Sequence, residues 1–306
     1  MSPSVNPANI TYDNRVPYVT VNEVKNSPIA SSVDLTNLIP GGDAAAQTAA
    51  IQQLIYMASA QADNICLGAT GTLCATINTE QGRYRANRQG FIVVHPAYWP
   101  ILEVDSFAIG SLPAAQTPIT VSSSNCWVES RQFTVTANAS TLTTVGPLDF
   151  GSMGYTNQAQ FCTYTYVNGF ANTTLAASAS ASATSIQVAS ITGIYAGQPL
   201  TIWDGSSTET VMIASSWNGT STTLPINTAL TYAHASAVNV SALPASVKQA
   251  VIHLVVAAIK QRGEGGLVIA EVGAPTAATS NDITSSSDLA RARDLLHAFL
   301  QVWGRT

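Results

Sequence analysis

Ser241 to Gly263, SALPASVKQAVIHLVVAAIKQRG, is the stretch around which the rest of the chain is organised. Ser241 is a possible N-cap, and Pro244 falls near the first turn, where its missing N–H costs nothing. Val247, Val251, Leu254, Val255, Ala258 and Ile259 recur at i, i+3, i+4, i+7, the spacing of one helix face. Ile252 and Val256 fill the opposite face, and a helix apolar nearly all round has neighbours on every side. Lys260 and Arg262 complement its C-terminal dipole and Gly263 stops it. The segment is too short, and carries His253 too centrally, to span a membrane. It is expected to be a buried central helix.

Its partners come from both ends of the chain. Thr20 and Glu23 have capping-box spacing for a short helix that stops before Pro28. From Asp43 to Leu67 runs a longer helix whose apolar stripe is Ile51, Leu54, Ile55, Ala58, Ala62 and Ile65. A last helix is expected over Ser287–Trp303, with Leu289, Ala292, Leu296, Phe299, Leu300 and Trp303 on one stripe.

Between these helices the pattern is β. Gly90–Pro96, Pro100–Gly110, Cys126–Thr136 and Gln160–Val167 read as strands, the last closed by an Asn168-Gly169 turn. The segment 137–157 is a turn-rich excursion, and 176–186 reads as a linker. A second set of short strands follows at Ser185–Val188, Leu200–Trp203, Glu209–Ile213, Thr222–Leu224 and Ala237–Val240, with a hairpin turn at Asp204–Ser207. The expected class is α+β. An N-terminal arm (1–17) precedes a discontinuous helical bundle (18–68 and 242–306), into which a first β domain (69–175) and a second small β-barrel or sandwich (176–241) are inserted as antiparallel modules.

Composition narrows the function. Charged residues are 9% of the 306, against roughly 25% in typical domains. A Ser/Thr-rich surface of this kind suits large assembled surfaces. The net charge of −5 argues against gripping nucleic acid through phosphates. Cys66, Cys74, Cys126 and Cys162 lack CxxC spacing and are read as buried free thiols, the alternative being a Cys126–Cys162 or Cys66–Cys74 disulfide. No apolar core marks the first sixteen residues as a signal peptide. The four histidines are scattered, and HExxH, GxSxG, P-loop and paired-carboxylate patterns are lacking, so no enzyme activity, cofactor or metal is expected. The one basic cluster, Arg83, Arg85 and Arg88 around Tyr84, reads first as a solvated loop before a strand, then as a contact for an acidic protein surface, and last as a contact for nucleic-acid phosphates.

With these elements placed, the chain resembles the head–tail adaptor (head-completion or neck connector) proteins of tailed bacteriophages. Tyr18–Lys25 is similar to the first helix of that family, Asp43–Leu67 to the second, and Val94-His95-Pro96 with Pro100–Val104 to the strand pair that follows. Tyr166–Leu175, Gly193–Gly197, Ile202–Gly205 and Leu243-Pro244 continue the likeness to Gly263, and Ala292, Leu295, Leu296 and Phe299 resemble the closing helix. The chain departs from the family in its length and in ending at Thr306 directly after its last helix.

The resemblance implies a structural virion protein at the head–tail junction, assembled in the host cytoplasm. It would form a ring, commonly dodecameric, beneath the portal protein and dock a tail, stopper or nozzle protein, with fibre proteins as further partners. Genomic DNA would pass through the ring without sequence-specific binding, and no membrane is involved. The candidate interface then comprises Arg83, Arg85, Arg88, Arg262, Glu264, Glu271, Arg291, Gln301, Trp303 and Arg305, and the loop 263–286 would order on docking. The competing expectation is a fibre, decoration or carbohydrate-binding β-module protein, for which Trp203 and Trp217 are the available aromatics.

Overall fold

The computed structural model describes residues 4–5, 16–67, 71–87, 90–136, 159–264 and 280–300. It is a mixed α and β chain with four α-helices and four antiparallel sheets among those residues. Two compact units emerge. One contains Cys74–Phe170 with the strand Ser4–Val5; the other contains Arg15–Leu73 and Ala171–Leu300.

Among its described residues the first unit is all β. Its strands are β1 (Ser4–Val5), β2 (Thr76–Arg85), β3 (Phe91–Val94), β4 (Ile101–Leu112), β5 (Ala115–Ile119), β6 (Cys126–Val128), β7 (Phe133–Thr136) and β8 (Ala159–Asn168). They form a five-stranded sheet, β1-β2-β8-β4-β5, and a three-stranded sheet, β3-β7-β6. Side chains alternate across each strand, and the inward sets of both sheets share one core. Ile92, Val94, Phe133, Val135 and Cys126 come from the smaller sheet, and Val104, Phe107, Ile109, Cys162, Tyr164 and Tyr166 from the larger. The segment Cys126–Thr136, expected as one strand, is instead two, β6 and β7, paired to each other through Cys126↔Val135 and Val128↔Phe133.

A larger correction concerns β2. The stretch carrying Arg83 and Arg85 was expected as a loop, yet Thr76 to Arg85 pairs with β8 over ten residues. Its inward positions Asn78, Glu80 and Gly82 carry no apolar signal, and only Tyr84 near its end packs against the core.

The second unit holds all four helices: α1 (Val21–Lys25), α2 (Ala44–Leu67), α3 (Ala245–Glu264) and α4 (Ser280–Leu296). Thr20 caps α1 with the expected box, its hydroxyl accepting from the Glu23 N–H while Glu23 accepts from the Thr20 N–H. Asp43 accepts from the Ala46 N–H at the start of α2. On α3, Val247, Ala250, Val251, Ile252, Leu254, Val255, Val256 and Ala257 are all buried, so the all-round apolar reading holds. Both α2 and α4 pack against α3, as does the 3-10 turn Pro28–Ser32.

The bounds of α3 differ from expectation. Ser241 is not its cap but the last residue of a strand, where its hydroxyl donates to the Ala171 carbonyl and accepts from the Leu243 N–H. At the other end the helix runs through Gly263 to Glu264. The closing helix starts at Ser280, seven residues before the expected Ser287, and gives way at His297–Phe299 to a 3-10 turn.

This unit also holds β9 (Asn172–Thr174), β10 (Ser185–Gln187), β11 (Pro199–Trp203), β12 (Glu209–Met212), β13 (Thr223–Pro225) and β14 (Asn239–Ser241). The sheets are β12-β11-β14-β9 and β10-β13, around a core that includes Ile186, Leu200, Ile202, Val211, Ile213, Leu224 and Val240. Residues 172–174 were assigned to the first β domain; they instead pair with β14. The presumed linker 176–186 is also part of this module: Ala179 is buried and exchanges both backbone hydrogen bonds with His234.

Gly110 makes the β4–β5 hairpin possible. A Cβ there would sit 2.0 Å from the Ala115 carbonyl oxygen, a backbone atom that cannot turn aside. Gly110→Ala is expected to destabilise the first unit by at least about 1–3 kcal/mol, measured by chemical denaturation.

Candidate functional site

The expected interface residues scatter. Arg83 and Arg85 are exposed on β2, two positions apart and therefore on one face of the strand. The Arg83 guanidinium lies over the Phe161 ring of β8, 4.9 Å from its centroid. Arg291 is exposed on α4. Arg88, Glu271, Gln301, Trp303 and Arg305 lie outside the described residues, as do the side chains of Arg262 and Glu264 and the central part of the loop 263–286. Arg83 and Arg85 thus form the only pair from this set that the described residues bring together.

A buried polar cluster of the second unit involves none of them. Lys248, near the start of α3, is 3% exposed. Its Nζ donates to Glu23 Oε1 at 2.7 Å and to Asn239 Oδ1 at 2.8 Å, and stands 4.6 Å from the centroid of the Trp203 ring. Glu23 is held by the α1 capping box, Asn239 by β14 and Trp203 by the end of β11. Asn239 is oriented in turn: its Nδ2 donates to Asn172 Oδ1 at 2.8 Å and to the Thr173 carbonyl at 3.2 Å. Asn172 then donates to the carbonyls of Val16 and Pro17. One ammonium therefore gathers α1, β9, β11, β14 and the chain before α1 onto the central helix. Spacing in the sequence gives no hint of it, since Glu23 and Lys248 are 225 positions apart.

Three further clusters bury charge. Asp288 joins α4 to α3, accepting from Lys260 Nζ at 2.7 Å and facing His253 Nδ1 at 2.9 Å. Burial pushes its carboxyl up, but the Lys260 and His253 contacts outweigh this and hold it below the usual range. His234 has a fully buried side chain; Nδ1 faces Asp204 Oδ2 at 3.1 Å and Nε2 faces Glu209 Oε1 at 2.8 Å. Glu209 also accepts from the Thr231 and Tyr232 N–H groups, and these bonds together with His234 overcome burial and lower its pKa. Tyr18 donates to the buried Asp63 of α2, which also accepts from the Leu73 N–H at 2.8 Å. His234 and His253 are thus held in side-chain contacts inside the second unit, while His95 and His297 are exposed.

In the first unit, the buried Glu80 carboxylate accepts from Tyr166 at 2.5 Å, from Tyr164 at 3.0 Å and from the Ala97 N–H. Burial raises its pKa against the pull of those three donors. Tyr84, whose hydroxyl lies 2.8 Å from that of Tyr164, is pushed up to about 12 by burial. The ring of Tyr84 folds over Gly82, where a Cβ would meet it at 2.6 Å. This is a sealed polar inclusion, with Glu80 1% and both Tyr164 and Tyr166 0% exposed.

Cys66, Cys74, Cys126 and Cys162 are free and buried, as expected, and burial raises Cys66 and Cys162 to about 12. Among the described residues no group of three His, Cys, Asp or Glu side chains could hold a metal ion, and no helix is long and apolar enough to cross a membrane.

Large apolar groups are exposed at several places, among them the outer faces of α2 and of β3-β7-β6. The 24-residue α2 carries a single charged residue, the buried Asp63, and its outer face shows Tyr56 and Met57 with Gln53, Ala60 and Asn64. On the outer face of β3-β7-β6, Trp127 is 45% exposed beside Phe91, with ring centroids 5.7 Å apart, and Val93 and Thr134 align with it across the strands. Of the tryptophans expected to be available for a ligand, Trp217 is buried in the core of its module and Trp203 lies under Lys248.

No family model matches the chain, and no curated protein or solved structure proved similar to it.

Glu80 and Asp288 have opposite pH signatures. Glu80, raised in the fold, contributes stability that is present below its unfolded value of about 4.3 and lost as pH rises through the folded one. Asp288, lowered in the fold, contributes stability above its unfolded value of about 3.9 that is lost as pH falls through the folded one. Hydrogen exchange should therefore show β2 and β8 gaining protection toward acid pH and α3–α4 losing it. Glu80→Gln should flatten the first trend and Asp288→Asn the second.

Proposed function

We propose that the chain is a structural virion protein, a head–tail adaptor that forms a ring beneath a portal and extends the DNA channel toward the tail. The observation that carries this reading is the packing of α2, which precedes the β segments, against α3 and α4, which follow them. In this reading α1 to α4 are one discontinuous helical bundle, and the β modules are insertions that widen the collar or meet neck proteins. An α2 face of Tyr56, Met57, Gln53, Ala60 and Asn64 suits close packing between subunits, because nothing charged is desolvated there. A net charge of −5 suits a channel through which DNA slides, since phosphates are not held. The paired Arg83 and Arg85, together with Arg291, are the described candidates for contacts to portal or tail proteins.

The test is assembly. Electron microscopy of the purified chain mixed with its portal should show a ring, with dodecameric symmetry, seated on the portal; a chain that stays separate from portal at all concentrations overturns the reading. Replacing Tyr56 and Met57 with Glu should abolish ring formation without loss of helical signal.

A second reading, a glycan-binding β module, is favoured by one observation: Trp127 and Phe91 form an uncharged aromatic platform on an open sheet face. Glycan binding lost in Trp127→Ala, with no association with portal, would favour it.

A further inference from the structure

The surroundings of Lys248 are those of a reaction as well as of an ion pair. We propose that Lys248 and Asn239 form an intramolecular isopeptide bond, with Glu23 as the proton relay. An amine, a carboxamide and a carboxylate meet in one buried site: Nζ is 2.8 Å from Asn239 Oδ1 and 2.7 Å from Glu23 Oε1. The electrophilic Cγ of Asn239 is one bond beyond that oxygen. Asn239 is 0% exposed, and the side chains of Lys248 and Glu23 are 4% and 11% exposed. Water, the competing nucleophile, is therefore kept away, and the reactants are held at contact, where effective molarities become very large.

The amide is also presented in one orientation. Its Nδ2 is tied to Asn172 Oδ1 and the Thr173 carbonyl, which keeps Oδ1 and Cγ turned to the amine. The second carboxylate oxygen of Glu23 accepts from the Thr20 N–H at 2.6 Å, so the relay is fixed too. The Trp203 ring closes the site over Nζ.

The step balances without any co-reactant. Nζ passes a proton to the Glu23 carboxylate, and its freed lone pair attacks Cγ to form the C–N bond. Glu23 delivers that proton to Nδ2 as the Cγ–Nδ2 bond breaks, and a second proton from Nζ leaves with the departing nitrogen. The products are a secondary amide and ammonium, and Glu23 is regenerated. No electrons are exchanged with an oxidant or reductant. The bond would tie β14 to α3 across Pro244, fixing the β module to the central helix, whatever the protein assembles into.

Intact-mass spectrometry of the denatured full chain tests this. The chain should be lighter than its sequence by one ammonia, after allowance for the initiator methionine. Trypsin should not cleave after Lys248, and fragmentation should yield no backbone ions between Asn239 and Lys248. Hydroxylamine separates this from a succinimide at Asn168-Gly169 or Asn218-Gly219, which it opens, leaving the isopeptide intact. Asn239→Ala should have its full sequence mass. Glu23→Gln should fold, by its helical signal, and cross-link roughly 100-fold more slowly or worse. A wild-type chain of full sequence mass after prolonged incubation overturns the proposal, as does an ammonia loss that maps outside the Asn239–Lys248 pair.

Discussion

A charged amine inside an apolar helix is the constraint on which the second unit depends. Removing an ammonium from water costs several kcal/mol unless partners replace the hydration, and Lys248 lies on the helix that is covered from every side. Its partners cannot come from α3 itself, because the residues a turn away, Ala245, Val251 and Ile252, are apolar. They come instead from α1, β11 and β14. The penalty is offset only when all three elements have arrived, so the charge selects one arrangement among the many that a greasy helix would accept. Hydrophobic burial holds α3 in place without direction; the ammonium supplies the direction.

The same logic recurs at smaller scale. Asp288 can satisfy Lys260 and His253 only if α4 lies in one register along α3. His234 and Glu209 fix the 231–234 segment to the β11–β12 hairpin, and Ala179 is drawn in through the backbone of His234. In the first unit Glu80 ties β2 to β8 and to the segment after β3 by accepting from Tyr164, Tyr166 and Ala97. A chain with so few charges has placed several where burial makes them exacting. That distribution explains how a surface poor in charge coexists with a specific interior.

It also explains what could be read in advance. The helices were legible because their signal is local: a capping box at Thr20 and Glu23, an apolar stripe from Ile51 to Ala62, and an apolar run from Val247 to Ala257. Strand β8 alternates visibly, and β3 and β4 show as apolar-rich runs although register shifts break the period of β4, so all three are legible too. Strand β2 is not, since its inward positions Asn78, Glu80 and Gly82 carry no apolar signal; the polar inclusion that organises the sheet erases the period that would announce the strand. Ser241 looked like a helix cap because Ser is common there, yet it ends a strand three residues before Pro244. The linker reading of 176–186 failed because small Ala and Ser residues also suit a tightly covered β segment, where Ala179 and Ile186 reach the core. The Lys248 cluster was beyond reach for a different reason: its members, Glu23, Trp203, Asn239 and Lys248, are brought together only by tertiary structure.

For the candidate interface the balance is less favourable. Arg83 and Arg85 were noticed as a basic pair, but their value lies in standing on one face of a strand, which only the pairing with β8 establishes. The α2 face leaves no mark in the helix period, because the apolar stripe reports what is buried, and Tyr56 and Met57 fall outside that stripe. Exposed apolar groups on an uncharged helix are costly to leave in water, and nothing on α2 beyond the buried Asp63 bears charge to keep copies apart. A surface that does not repel itself, carried by an element already braced through α3, is suited to repeated contact between identical chains. The Lys248 contacts fix α3, on which α2 packs, so this face is presented on a rigid support.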